Sequence, residues 1–129
     1  MRAIMLTADL MFSSRVASAA TMLGVPLNVC MSPARLSEQL AESGPTTRLV
    51  IVDSTLPRLD WTALVATVRE QAPLAAIVAF GPHVDVAALE AAAAAGCDEV
   101  LTRGQFQQCY ASLLQTKCRV PTDPQQSAD

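Results

Sequence analysis

The chain predicts an α/β domain whose parallel sheet is covered by helices on both faces, and three observations carry that prediction. Five short apolar blocks alternate with five segments of helical hydrophobic period along 129 residues. Two blocks, "LVIV" at 49–52 and "LAAIVAF" at 74–80, run without polar alternation, as strands buried on both faces do. The stretches between blocks are long enough to hold the right-handed helical crossover that a parallel pair requires. A chain of this length suits one domain that buries its core without disulfides or metals.

The elements follow in order. "AIMLT" at 3–7 is the first strand, and Phe12, Val16, Ala19, Ala20 and Leu23 then recur at the spacing of one buried helical face. Asp9 stands where it caps that helix and Gly24 where it ends it. "PLNVC" at 26–30 is the second strand. Ser32 and Pro33 open a helix that carries Leu36 and Leu40 inward and stops at Gly44-Pro45. After "LVIV", Asp60 caps a third helix with Trp61, Leu64, Val65 and Val68 inward. Gly81-Pro82 breaks the fourth strand, Asp85 starts "VAALEAAAAA", and Gly96 closes that helix before the fifth strand, "EVLT". A last helix buries Phe106, Cys109, Tyr110, Leu113 and Leu114. The polar, proline-bearing 119–129 is expected to be a disordered tail after a domain over 1–118.

Composition excludes several classes of function. Hydrophobic residues make up 51%, charged residues 16% and aromatics 4%, so the core must be built from Ala, Val, Leu, Ile and Met. A net charge of −3 with no run of like charges argues against binding nucleic acid or an anionic membrane through bulk charge. The N-terminus has no signal-peptide pattern and no window approaches a bilayer-spanning run, so a cytoplasmic protein is expected. Cys30, Cys97, Cys109 and Cys118 form no C-x-x-C pair and have only His83 to assist them, which fits reduced thiols and no zinc site. No glycine-rich phosphate loop, G-x-S-x-G or H-E-x-x-H occurs, and no enzyme is expected.

Alternating strands and helices of this kind give the flavodoxin-like three-layer αβα fold, with strand order 2-1-3-4-5 and a functional crevice at the carboxyl ends of strands 1 and 3. Asp53 ends strand 3 and so stands at that crevice. "LVIVDSTLPRLDW" closely resembles the third strand and following loop of the receiver domain of bacterial two-component response regulators, and "AAAAAGCDEVLTRGQF" is similar to the family's fourth helix, fifth strand and Lys-Pro turn. The resemblance covers about residues 1–117 in element order. It implies that Asp53 occupies the phosphoacceptor position, with Asp9, Gly81 and Arg103 as the remaining pocket positions.

Those positions depart from the family's pattern, which makes the resemblance one to a degenerate, pseudo-receiver variant. The acidic pair that holds Mg²⁺ falls by register on Thr7 and Ala8, leaving Asp9 with Asp53 to hold the ion weakly. No metal site or cofactor is therefore expected. The hydroxyl at the end of strand 4 is missing from "AAIVAFGPH", where Gly81 is the match, and Val100 stands in place of the aromatic residue of strand 5. The phosphate-binding lysine and its proline are replaced by Arg103 and Gly104, a swap that is not conservative at a tight site.

Two readings of Asp53 stand side by side. In one its carboxylate caps the loop, accepting from N–H groups near Ser54 and Thr55 or pairing with Arg103; in the other it is phosphorylated. The function expected first is a stand-alone receiver-like module acting by protein–protein interaction without phosphorylation. The alternative is a single-domain response regulator phosphorylated on Asp53. A cofactor-binding flavodoxin-like protein would need a Ser/Thr/Gly-rich cradle that these loops lack. The candidate partner surfaces, for another protein or a second copy, are helix 1, with Arg15 as its single charge, and the face of helix 4, strand 5 and helix 5. Helix 4 carries one charge, Glu90, and seven alanines. Trp61 is expected to pack at the start of helix 3 and His83 to lie on a surface loop.

Overall fold

The computed structural model describes residues 1–118, so the expected tail over 119–129 lies outside the described residues. Strands β1 (Arg2–Leu6), β2 (Leu27–Cys30), β3 (Thr47–Asp53), β4 (Ala76–Gly81) and β5 (Glu99–Thr102) alternate with helices α1 (Leu10–Leu23), α2 (Pro33–Ser43), α3 (Trp61–Gln71), α4 (Val86–Ala95) and α5 (Arg103–Lys117). The five strands pair in parallel in the order β2-β1-β3-β4-β5, the predicted flavodoxin-like topology.

Two hydrophobic clusters, one on each face of the sheet, explain the unalternating strands. Side chains alternate across a strand. Ile4, Leu6, Val50, Val52, Ile77 and Ala79 therefore join α2, α3 and Ala92 of α4. Ala3, Met5, Leu49, Ile51, Val78 and Phe80 meet α1 and α5. Both sets must be apolar, which produces "LVIV" and "AIVAF". On the α1/α5 face Phe80 stacks on Phe106 with ring centroids 4.4 Å apart, and Phe12 stands edge-on to both at 5.4 and 5.5 Å. Such pairs add about 0.5–1.5 kcal/mol each beyond their buried area. The three phenylalanines thus compensate for a core poor in aromatics.

Each predicted cap is in place. Asp9, Ser32, Asp60 and Asp85 accept from backbone N–H groups at the starts of α1 to α4, and Gly24, with φ 73°, closes α1 in the left-handed conformation that glycine tolerates. Thr102 caps α5 through a capping box with Gln105, so α5 starts directly at the end of β5. At Gly44 the chain continues into one 3-10 turn, Gly44–Thr46. A Cβ there would overlap the Gln71 carbonyl oxygen, so Gly44 serves the close approach of the end of α3. Leu23 is 38% exposed, at the fraying edge of the α1 stripe, and Cys109 and Tyr110 are half-buried. Among the described residues no helix is long and apolar enough to cross a membrane.

Candidate functional site

The site lies where β1 and β3 end side by side. Leu6 pairs with Val52 in the ladder, so the next residues, Thr7 and Asp53, meet at the crest of the sheet. Both are buried. The Thr7 hydroxyl donates to Asp53 Oδ2 at 2.7 Å. Asp53 Oδ1 accepts from the Thr55 N–H at 2.9 Å and from the Thr55 hydroxyl at 2.7 Å. An Asp followed two residues later by its own N–H donor is an Asx turn, and the Thr hydroxyl doubles it. Both carboxylate oxygens are thereby occupied by donors from the chain itself.

Arg103 does not reach Asp53. Its guanidinium binds Asp9 Oδ2, and its Cζ lies 4.8 Å from the centroid of the Phe12 ring. Asp9 meanwhile accepts the Phe12 N–H through Oδ1 at 2.9 Å, and its own N–H donates to the Thr7 hydroxyl oxygen at 3.1 Å. The Phe12 N–H first and the Arg103 guanidinium second hold the Asp9 carboxyl below the ordinary 3.8. The pocket positions thus form an Asp53–Thr7–Thr55 hydrogen-bond set and an Asp9–Arg103 ion pair that ties the start of α1 to the start of α5, the two joined through the Thr7 hydroxyl.

Gly81 ends β4 opposite Thr102. The space beside it is filled by Ser54: a Cβ at Gly81 would overlap the Ser54 Oγ outright. Spatially a hydroxyl does stand at the end of β4, supplied by the residue that follows β3, although no residue of β4 carries one. Val100 is half-buried in β5, His83 is exposed in the loop before α4, and Trp61 is buried at the start of α3.

The donor set does not fit a divalent cation. Mg²⁺ needs several oxygen ligands with free lone pairs in octahedral array. Thr7, not a carboxylate, stands beside Asp53, both Asp53 oxygens already accept from Thr7 or Thr55, and Asp9 is committed to Arg103 and Phe12. Among the described residues no group of three or more His, Cys, Asp or Glu side chains converges. Attack on phosphorus also needs positive charge close to the equatorial oxygens, and the Arg103 guanidinium is held by Asp9 and not by Asp53.

The sequence brought Asp53 to the crevice and Thr7 beside it. By register Thr7 replaces an acidic ligand, and in the structure it is a hydrogen-bond donor to Asp53. Thr55 was legible as the third residue of an Asp-x-Thr turn. Ser54 had no signal of its own, because its setting depends on what β4 lacks.

No protein-family model and no curated protein matches the sequence, but solved structures match the fold. A response regulator receiver domain from Clostridium thermocellum superposes with a TM-score of 0.75 at 14% identity, covering 91% of this chain and 93% of that chain. A response regulator from Burkholderia pseudomallei, solved with a phosphorylated aspartic acid, calcium and citrate, gives 0.73 at 16% identity over 91% of this chain and 68% of that one. The receiver domain of a Saccharomyces cerevisiae response regulator, solved in complex with a histidine phosphotransfer protein, gives 0.72 at 13% identity over 91% and 88%. The chain has the receiver fold. At these identities the likeness is one of fold, and function must be argued from the site.

Proposed function

We propose that this receiver-fold chain is a signalling module that works through protein–protein contact, with Asp53 serving as a structural carboxylate and not as a phosphoryl acceptor. The single observation that carries this reading is the engagement of both Asp53 carboxylate oxygens by Thr7 and Thr55. In support, Arg103 is engaged with Asp9, and among the described residues no group of three or more His, Cys, Asp or Glu side chains converges. No catalytic role is assigned to any residue. Four free thiols favour a reducing compartment, and we place the module in the cytoplasm.

Two surfaces are candidates for the contact. On α1, Leu10 and Met11 are 66% and 76% exposed beside Arg15. On the α4–β5–α5 side, Val84 and Val86 are 76% and 55% exposed, next to a helix with one charge. Exposed apolar side chains rimmed by few charges are what a protein partner or a second copy would cover. The yeast receiver domain solved with its phosphotransfer partner lends analogy to the idea of a protein partner.

Incubation with acetyl phosphate and Mg²⁺, followed by intact-mass measurement, tests the reading. The expected result is no adduct. A stable gain of about 80 Da, one phosphoryl group, that disappears in Asp53→Ala would establish the alternative, a phosphorylated receiver.

A further inference from the structure

A cleft lies beside the crest, between the first turns of α1 and α5. Asp9, Met11, Phe12, Arg15, Arg103 and Gln107 line it, around a volume of about 240 Å³. Met11 and Arg15 stand four residues apart on α1, as Arg103 and Gln107 do on α5, so each pair shares one face of its helix. Two guanidiniums against one carboxylate give this lining a net +1, in a chain whose net charge is −3. A cleft that gathers one sign of charge raises the local concentration of the opposite sign.

The one carboxylate does not satisfy both arginines. Asp9 Oδ1 accepts the Phe12 N–H and Oδ2 accepts from Arg103, which leaves Arg15, exposed on α1, with no ion pair among the described residues. Arg103 itself meets Asp9 through Nη2, so its Nη1 and Nε keep N–H groups for a further acceptor. The Phe12 ring, 4.8 Å from Cζ, and the Asp9 carboxylate fix the plane of this guanidinium before any ligand arrives. A fork already held in place gives up little further freedom on binding.

We propose that the cleft between α1 and α5 binds a small organic oxyanion, a carboxylate or a phosphate, between the unused N–H groups of Arg103 and the guanidinium of Arg15. The Gln107 amide supplies a neutral donor and Met11 an apolar wall for the body of the ligand. Both head groups present paired oxygens that match a guanidinium fork. Asp9 keeps its place on Arg103 and on the Phe12 N–H, so the ligand adds to the ion pair and does not replace it. Bound there, it ties α1 to α5. The anion is held and not transferred, and none of the groups that hold Asp53 takes part, so this inference and the reading of Asp53 fail separately.

Amide spectra of the isotopically labelled chain, titrated with inorganic phosphate and separately with succinate at constant ionic strength, test it, with chloride as the control. The 11–15 and 103–107 amides should shift saturably with phosphate, succinate or both, and the probe that saturates at the lower concentration identifies the head group. Arg15→Gln leaves the Asp9–Arg103 pair in place and should weaken binding about tenfold or more, the loss of one charge-assisted contact. Arg103→Lys keeps the charge but loses the fork and should weaken it as well. Shifts that grow linearly with concentration for both probes, or that chloride reproduces, would overturn the proposal. So would unchanged affinity in Arg15→Gln, or shifts centred on the 53–55 amides. Arg15 is exposed and outside the core, so its variant keeps the test decisive even if Arg103→Lys fails to fold.

Discussion

Replacing Thr7 by Val keeps the β-branched shape at a fully buried position and deletes one hydroxyl. Asp53 Oδ2 then loses its donor in a site where Asp53 is 1% exposed and water has little access. A hydrogen bond to a charged group contributes about 1.5–3 kcal/mol, and its loss leaves the buried oxygen unsatisfied. The extra methyl returns a fraction of one CH₂ equivalent, about 0.8 kcal/mol at most. A net loss of about 1.5–2.5 kcal/mol is expected. With unfolding entropy near 2.1 cal/mol/K per residue over roughly 118 residues, that corresponds to a fall in Tm of about 6–10 °C. Thermal and urea unfolding followed by circular dichroism at pH 7 measures it. Thr7→Ser retains the hydroxyl and should lose much less, and in an Asp53→Ala background the Thr7→Val cost should shrink by about 1 kcal/mol or more. A Thr7→Val Tm within about 2 °C of the wild type would refute the view that Thr7 holds Asp53.

Other outcomes follow from the same structure. Phe106→Ala removes a fully buried ring stacked on Phe80 and should lose about 3–5 kcal/mol in urea unfolding, whereas Phe106→Leu should lose clearly less. At Asp98, burial pushes the carboxyl up, but the Ile77 N–H and the Arg69 guanidinium outweigh it and the net value lies below the ordinary 3.8. A carboxyl depressed on folding stabilises above its unfolded pKa and loses that contribution as pH falls through the folded value. Asp98→Asn should therefore flatten the loss of stability on acidification below about pH 4, read as Tm against pH. Burial first, and the neighbouring Asp98 carboxylate second, pushes the Cys97 thiol up to about 11, and burial does the same for Cys118. Iodoacetamide at pH 7.5 should then spare both in the native chain and label all four cysteines in urea; rapid native labelling of Cys97 would contradict the assigned environment.

The strands, the layers of helices and the caps were legible because they are written in short-range chemistry, while the strand order came from the flavodoxin-like class that the alternation suggested. Unalternating apolar runs occur where both faces are covered, as in Leu49–Val52, and capping is decided within three residues, as at Asp9 and Asp60. The place of Asp53 at the crest was equally readable, since a strand end in a doubly wound sheet is fixed by element order. Leu23 shows the limit on the helical side: period alone assigned it inward, and only the docking of the helix terminus decided its exposure.

What the side chains at the crest do to one another was decided by tertiary structure. Thr7 and Asp53 are 46 residues apart, and Asp9 and Arg103 are 94 apart, so neither pairing has a local signature. Arg103 had Asp53 and Asp9 as competing carboxylates, and the packing of its guanidinium against the Phe12 ring directs it to Asp9. Ser54 meets Gly81 only because β3 and β4 are adjacent, and its hydroxyl is buried because residue 81 offers empty volume. Sequence specifies which elements form and which residues they end with; only the assembled sheet determines which donors reach which carboxylate, because that depends on distances between chain segments with no covalent memory of each other.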